Sequence, residues 1–244
     1  MAYIISEIGG QFGGSIEVAE QMMLQSKIGG ANAVKFQLYS PDFDKSSLNH
    51  DGPGDYLSIT FEDFKKLKEY ADKINIEFFA AVFDSERLRW CLELDLPKIK
   101  VSRAMVEEPG LFEKVIKTGK EAILSLNAEQ VKQGKPYDAP NVKYLYTVPS
   151  YPTMLEQVEM PDFGSSWIDG YSDHTAGLAA CVYALSRGAK IIEKHFTVCH
   201  SWQKTKEKAH LCSMDMGELQ ELQGYARSID ILRHKKLYQF DSLT

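Results

Sequence analysis

Two histidines stand at the ends of short apolar runs in the second half of the chain. His174 follows the run 170–173, and His195 lies near the end of the run 191–196. If these runs are neighbouring strands of one parallel sheet, their ends lie only about 4.8 Å apart. The two imidazoles then suit one shared divalent ion, with Mn²⁺ preferred over Mg²⁺ or Co²⁺, and such an ion can polarise a carbonyl group as a Lewis acid. A single histidine is more often a core or surface residue, so this prediction depends on the pairing.

Lysines and serines near further strand ends supply the donors that a phosphate or carboxylate needs. Lysine binds such oxyanions as a point charge, and hydroxyl groups complete the shell. Lys35 lies inside the apolar run 33–36, where an ammonium group without a partner would be costly, so we expect it to meet an anion or a carboxylate. For the other lysines the alternative is a solvated strand end. The candidate donors are Lys35, Lys100, Lys120, Ser102, Ser125 and Ser172.

Eight short β-branched or aromatic runs alternate with helical patterns along the whole chain. That alternation is typical of a parallel sheet built from βα units, and eight strands predict an α/β fold closed into a single (β/α)8 TIM barrel over residues 1–244. The predicted strands are 3–8, 33–38, 77–82, 98–102, 122–126, 142–148, 170–173 and 191–196. The predicted helices are 15–28, 60–74, 85–93, 109–118, 128–132, 153–160, 176–187 and 214–232.

A barrel of this kind brings the polar ends of all its strands to one mouth. Barrel enzymes keep their active sites at the C-terminal ends of the strands. Two connections, 39–59 and 197–212, are long for an α/β domain and follow strands, so they belong to the same face. Besides the histidines, lysines and serines, the mouth is expected to hold Glu7, Gln37, Asp84, Tyr151 and Glu193.

Composition excludes several classes of protein. The formal net charge is −6 and the 28 lysines and arginines are scattered, which argues against a nucleic-acid surface. The four cysteines have no CxxC spacing, so they indicate neither a zinc site nor a disulfide framework and favour a reducing cytoplasm. The sequence lacks a signal-peptide pattern and any apolar stretch of about 18 residues, so we expect neither secretion nor membrane spanning.

Several segments resemble the N-acetylneuraminate synthase family, which makes sialic, legionaminic and other nonulosonic acids. The matching segments are SEIGGQFGGSIEVAEQM, ANAVKFQ, FFAAVFD, KIKVS, TGKEAILS, YPT, GYSDHTAG and GAKIIEKHFT. The last two are the most specific, and the resemblance extends from Ile4 to Leu222. It implies the same (β/α)8 fold.

The resemblance also implies a reaction. C3 of phosphoenolpyruvate attacks the aldehyde of an open-chain N-acylated aldose such as N-acetylmannosamine; water then adds at C2 and phosphate leaves. By the same resemblance, a metal on His174 and His195 would polarise the aldehyde, Glu7 would lie near the reacting carbons, and the enzyme would be a homodimer. Lys35, Lys120, Ser125 and Ser172 match phosphoenolpyruvate-binding positions, Gln37, Tyr151 and Glu193 match other active-site positions, and Ser102 joins them as a hydroxyl donor at the mouth.

The chain departs from the family pattern at several positions. Gln11-Phe12 stands where the family has Asn-His, and Ser125-Leu-Asn stands where it has Ser-Thr-Gly. Pro149 replaces an Asn or Ser, so one phosphoenolpyruvate contact is expected to be missing. Ala209 aligns with an aspartate that contacts the acceptor sugar. Bacterial members also carry a C-terminal antifreeze-like domain that the 244 residues lack, so we expect a separate lid protein, a different acceptor or an open site.

Three functions therefore stay open at this point. The first is the metal-dependent synthase, favoured by the retained histidines, Glu7 and Lys35. The second is a partner-dependent or catalytically inactive barrel that binds sugar or phosphoenolpyruvate, favoured by the departures. The third is a two-histidine metal hydrolase with Glu7 or Glu193 as base. A separate expectation concerns Lys204, Lys206 and Lys208, which either receive an anionic acceptor or form a solvated charge run.

Overall fold

The computed structural model describes residues 1–38, 40–41, 58–102, 110–202 and 208–234. Within these ranges eight parallel strands close into a barrel, in which each strand pairs with the next and the last pairs with the first. The strands are β1 (Tyr3–Glu7), β2 (Ala33–Leu38), β3 (Glu77–Val82), β4 (Lys98–Val101), β5 (Glu121–Leu126), β6 (Val142–Thr147), β7 (Gly170–Asp173) and β8 (Ile191–His195). The predicted (β/α)8 fold is confirmed, and each predicted strand matches an observed one to within one residue at either end.

Helices cover the outside of the barrel. In the described part of the chain they are α1 (Ile16–Gly29), α2 (Phe61–Ile74), α3 (Ser85–Glu93), α4 (Leu111–Lys117), α5 (Ala128–Lys132), α6 (Ala179–Ser186) and α7 (Met216–His234). Local signals set their ends. The hydroxyl of Thr60 accepts a hydrogen bond from the backbone N–H of Asp63 at the start of α2. Gly30, with φ 95°, caps α1 and donates its N–H to the carbonyl of Lys27.

The predicted helix 153–160 is wrong. The described structure has only a 3-10 turn at Leu155–Gln157 between β6 and β7. Met154 before the turn and Val158 after it are both extended, with ψ of 143° and 100°. Pro152 and Pro161 flank this short segment, and proline disfavours helical backbone in the residue before it, so no α-helix propagates. The predicted helix 176–187 also begins later, at Ala179, because Gly177 has φ 68°.

Side chains that point into the barrel form three layers. At the N-terminal ends of the strands, Lys98 Nζ lies 3.0 Å from Glu77 Oε1 and 3.3 Å from Glu121 Oε1. A buried apolar layer follows and closes the interior, so the barrel is a packed core rather than a pore; it consists of Ile5, Ala33, Phe79, Ile123, Leu145 and Ile191. Above it, at the C-terminal ends, the interior becomes polar again. This upper layer is therefore the expected place for an active site.

Two expectations fall on parts of the chain that are not fully described. The predicted loop 39–59 lies mostly outside the described residues, as do residues 203–207 of the second long loop. The side chains of Lys204, Lys206 and Lys208 are therefore outside the description as well. Among the described residues no helix combines the length and apolar character needed to cross a membrane.

Candidate active site

A buried carboxylate, Glu193 on β8, is the centre of the polar layer. Its Oε1 accepts hydrogen bonds from Lys100 Nζ at 2.5 Å, Ser172 Oγ at 3.0 Å and Lys35 Nζ at 3.1 Å. Lys35 also forms an ion pair with Glu7 of β1. All five side chains are at most 5% exposed. Two ammonium groups are thus held side by side at the mouth by two carboxylates.

Strand pairing explains why these groups meet. In parallel pairing Glu7 lies opposite Lys35 on β2 and opposite His195 on β8, and Ser172 lies opposite Glu193. Successive side chains of a strand point to opposite faces, so residues level with one another share the interior. The polar layer lies two residues above the apolar layer on β1, β2 and β8.

Burial and charge perturb the titration of this cluster. Burial lowers the pKa of Lys35 to about 7; the ammonium group of Lys100 adds to this effect, while the carboxylate of Glu193 opposes it. Burial by itself would raise the pKa of Glu193, but Lys100 and Lys35 more than offset burial and hold that pKa well below its ordinary value. The carboxylate is therefore ionised at neutral pH, and the Lys35 ammonium is close to its titration point.

The predicted histidine pair stands beside the lysines. The ring centroids of His174 and His195 are 5.7 Å apart, with an angle of 41° between their planes. The ring of Tyr151, which follows β6, lies 4.0 Å from His174 and 5.8 Å from His195. Burial lowers the pKa of His174 to about 4, and burial together with the proximity of His174 and Lys35 lowers the pKa of His195 well below its ordinary value. Both rings are therefore uncharged at neutral pH.

Each ring has a hydrogen-bond partner at its Nδ1 atom. His174 Nδ1 lies 2.8 Å from the carbonyl oxygen of Val148, and His195 Nδ1 lies 3.4 Å from Gln11 Oε1. A carbonyl oxygen can only accept, so each Nδ1 carries the proton and each Nε2 keeps its lone pair. Metal-bound histidines typically donate their second N–H to such an oxygen. Neutral rings that keep an Nε2 lone pair fit a divalent cation.

Several of the buried polar atoms that lack hydrogen-bond partners among the described residues lie in the same region. Most buried polar atoms in native proteins form hydrogen bonds. Within the described part of the chain, no hydrogen-bond partner is found for the buried atoms Glu7 Oε1, Gln11 Nε2, Ser125 Oγ and Glu193 Oε2. All four belong to the mouth or to the loop beside it. Such a cluster is expected where a polar ligand completes the hydrogen bonding.

Gly9 lets the loop after β1 approach the site closely. Its φ is 52°, and a Cβ atom there would lie 2.8 Å from Gln11 Oε1 and 3.3 Å from both Glu7 Oε1 and His195 Nδ1. These three side chains therefore converge on the one point that a side chain at position 9 would fill. A glycine is required here for its backbone conformation and for the lack of space.

The structure brings most of the predicted site residues together. Ser125 of β5 is buried, and Gln37 lies two residues beyond Lys35 on the same side of β2. Ser102 directly follows β4 at the mouth. Asp84 serves a local purpose instead, because its carboxylate accepts the Arg87 N–H at the start of α3.

The predicted role of Lys120 in binding phosphoenolpyruvate needs correction. Lys120 precedes β5 and therefore lies at the N-terminal rim, opposite to the mouth. Its Nζ is 2.5 Å from Asp95 Oδ1, in the connection between α3 and β4. The resemblance matched a local segment, whereas the position of the residue along its strand decides which end of the barrel it reaches. Lys100 on β4 supplies the second ammonium group at the mouth.

Two contributors were missed as site residues. In the sequence Gln11 stands out only as a departure from the family pattern, yet it contacts His195. Thr147 belongs to none of the motifs described above, but its Oγ1 lies 3.5 Å from His174 Nδ1. The alternation of β6 could have identified Thr147, because it lies two residues beyond the inward-facing Leu145. A single sequence offers no comparable signal for Gln11, which lies in a loop.

The other departures also have a place in the structure. Phe12 is buried and packs against Phe36, with ring centroids 6.1 Å apart, so it joins the core rather than the site. Asn127 caps α5 in a reciprocal capping box with Gln130. Ala209 is 4% exposed, and its carbonyl oxygen accepts from Cys212 and Ser213.

Comparisons with known proteins identify relatives of this chain. The model of the NeuB family matches residues 22–236. Human N-acetylneuraminate-9-phosphate synthase is 29% identical over 255 residues, which cover 93% of this chain and 70% of that protein. N,N'-diacetyllegionaminic acid synthase of Legionella pneumophila is 25% identical over 251 residues, covering 90% and 70%. The crystal structure of N-acetylneuraminic acid (sialic acid) synthetase from Leptospira borgpetersenii, in complex with citrate, has a TM-score of 0.84 at 29% identity and covers 99% of this chain and 88% of its own.

Proposed function

Because the chain belongs to the NeuB family, we propose that it condenses phosphoenolpyruvate with an N-acylated aldose resembling N-acetylmannosamine, giving a nonulosonic acid and phosphate. The relatives are named as synthases of N-acetylneuraminate 9-phosphate and of a legionaminic acid, so the chain is a member of a family of enzymes. The reaction type is that of a transferase that forms a C–C bond.

One observation carries the proposal: two buried lysines and two uncharged histidines face the same barrel mouth. The lysines suit an anionic substrate, because they supply ammonium donors in a place that excludes water. The histidines suit a divalent cation, because their rings are neutral and their Nε2 atoms are available. A reaction that joins an enol phosphate to an aldehyde requires both. A simple anion-binding barrel would have no use for the second pair.

Lys35, Lys100, Ser125 and Ser172 are assigned to phosphoenolpyruvate. The ammonium groups would bind its phosphate and carboxylate oxygens, and Ser125 Oγ, which has no hydrogen-bond partner among the described residues, would donate to one of them. As the phosphate departs from C2, cations fixed beside it stabilise the charge on the leaving group. Glu193 holds the two lysines in place through its Oε1.

His174 and His195 are assigned to a divalent cation, Mn²⁺ by preference and Mg²⁺ or Co²⁺ otherwise. Such a cation would polarise the aldehyde oxygen as negative charge develops there. The protein's part is to keep both rings neutral and to hold each Nδ1–H on an oxygen. Gln37, Ser102 and Tyr151 line the remaining mouth and are assigned to the sugar.

Glu7 is assigned to proton handling near the reacting carbons. It pairs with Lys35 through one oxygen, while Oε1 has no hydrogen-bond partner in the described structure. That free oxygen lies beside His195, since both converge on Gly9. A carboxylate in this position can orient water or transfer a proton during addition at C2.

The test is a phosphate-release assay on the full chain with phosphoenolpyruvate, Mn²⁺ and a panel of N-acetylhexosamines, with mass spectrometry of the product. We expect phosphate release only when both substrates are present. His174→Ala and His195→Ala should each lower the rate by about 100-fold or more, because each loses part of the Lewis-acid site. Phosphate release that is independent of the sugar would contradict the proposal.

A partner-dependent or inactive barrel is the second candidate. Pro149 cannot donate a hydrogen bond, and Ala209 is buried and offers no polar side chain to a sugar. This candidate predicts that phosphoenolpyruvate binds without turnover until a lid protein is added. A hydrolase would instead turn over without phosphoenolpyruvate. We also expect a cytoplasmic homodimer; light scattering after size-exclusion chromatography would test the dimer.

A further inference from the structure

A buried ion pair lies directly behind the two histidines. Asp173, the last residue of β7, is paired in register with Lys194 of β8, and Lys194 Nζ is 2.5 Å from Asp173 Oδ2. Both side chains are fully buried. Asp173 immediately precedes His174, and Lys194 immediately precedes His195. Since neighbouring residues on a strand point to opposite faces, the ion pair lies on the helix side of the barrel wall and the histidines lie inside.

The ammonium group of Lys194 contacts the residues on both sides of His174. Besides Asp173, it donates to the carbonyl oxygen of Thr175 at 2.7 Å. Asp173 in turn accepts from the Thr175 N–H at 3.0 Å and from Cys181 Sγ of α6 at 3.2 Å. The two residues that flank His174 therefore both bind the ammonium group of Lys194, and Lys194 is adjacent in sequence to His195.

We propose that Asp173 and Lys194 are positioning residues that set the separation and direction of the two imidazoles. Their charges are costly to bury, and an apolar pair of similar volume often stabilises a fold equally well. A directional ion pair, unlike an apolar pair, fixes how the end of β7 is aligned with β8. The inference rests on the proposed function only for what the histidines bind, namely a divalent cation.

The experiment measures Mn²⁺ binding to the full chain by isothermal titration calorimetry. The test variant is Asp173→Asn with Lys194→Met, which removes both charges, keeps an acceptor for the Thr175 N–H and keeps side-chain length. We expect cooperative unfolding close to that of wild type and a dissociation constant for Mn²⁺ raised about 10- to 100-fold, the usual effect of losing groups that orient metal ligands. Binding of phosphoenolpyruvate without metal should be unchanged.

A matched control is Glu77→Gln with Lys98→Met. It removes another ion pair of the barrel, at the opposite rim, where Lys98 Nζ lies 3.0 Å from Glu77 Oε1. This control should bind Mn²⁺ as wild type does. A test variant that also keeps wild-type affinity overturns the proposal.

A variant that fails to fold still leaves the proposal testable. Asp173→Glu keeps both charges and lengthens one arm by a methylene, so it should fold and bind Mn²⁺ about 10-fold more weakly; unchanged affinity would overturn the proposal. The proposed function has its own point of failure. If wild type binds no Mn²⁺, or His174→Ala binds it equally well, the histidine site itself is wrong, whatever the ion pair does.

Discussion

Lys100 and Lys120 provide a sharp test of which lysine serves the site. Lys100→Met removes an ammonium group that is 5% exposed and lies 2.5 Å from Glu193 Oε1. A hydrogen bond to a charged group contributes about 1.5–3 kcal/mol, and about 2.7 kcal/mol corresponds to about 100-fold in affinity. The variant also leaves Glu193 with less compensation, which repels an anion and acts in the same direction. We therefore expect the dissociation constant for phosphoenolpyruvate to rise about 100-fold.

The matched variant is Lys120→Met. Lys120 contacts Asp95, whose side chain is 91% exposed, and ion pairs at such a surface contribute little. Its dissociation constant for phosphoenolpyruvate should stay within about two-fold of wild type. Calorimetric titration of both variants with phosphoenolpyruvate shows which lysine binds it. Thermal unfolding checks that both variants fold. Equal weakening in the two variants, or weakening in Lys120→Met alone, would refute the reasoning from the two ends of the barrel.

Three further outcomes follow from the structure. The pKa of Lys35 is about 7, so its ammonium form is present below that pH and is lost above it. The affinity for phosphoenolpyruvate should therefore fall as pH rises from 6 to 8.5. Lys35→Arg should remove this pH dependence in calorimetric titrations. Gly9→Ala places a Cβ atom 3.3 Å from His195 Nδ1 at φ 52°, so Mn²⁺ affinity should fall about 10-fold by calorimetry, and wild-type affinity would contradict the crowding argument. Gly170→Ala places a Cβ atom in steric overlap with the Ile191 carbonyl oxygen, so it should lower the melting temperature by at least several degrees, corresponding to about 2 kcal/mol or more.

The fold was predictable because its signal is repeated eight times. Each strand is a short apolar run, and an error of one residue at a strand end, such as the start of β5, does not alter the number of strands. The helix predicted at 153–160 had no such support, and its prolines were the stronger signal. The histidine pair was predictable for a similar reason, since β7 and β8 are neighbours in any closed barrel. Strand pairing alone could not predict the protonation state of the two imidazole rings, because that state depends on burial.

Lys100 and Lys120 show which part of the site could not be predicted from the sequence. Lys100 and Lys120 both lie near predicted strands, and motif resemblance favoured the second. The distinction depends on whether a residue lies within its strand, facing inward beyond the apolar layer, or before the strand begins. Lys100 lies opposite Ile123 of β5, within the sheet, whereas β5 begins one residue after Lys120. Strand ends are the least reliable feature of any sequence-based assignment, and a shift of one residue exchanges the inside and the outside of the barrel.

The charges at the mouth have a consequence for how ligands bind. Glu7 and Glu193 carry two negative charges when ionised, and Lys35 and Lys100 carry two positive charges, so the four groups together are close to neutral. An anion with phosphate and carboxylate groups then binds with a net excess of negative charge. A cation on His174 and His195 would offset that excess. Binding of Mn²⁺ and phosphoenolpyruvate should therefore be cooperative, and linkage requires each to strengthen the other by the same factor. Because the pKa of Lys35 is about 7, this common factor should change with pH around neutrality.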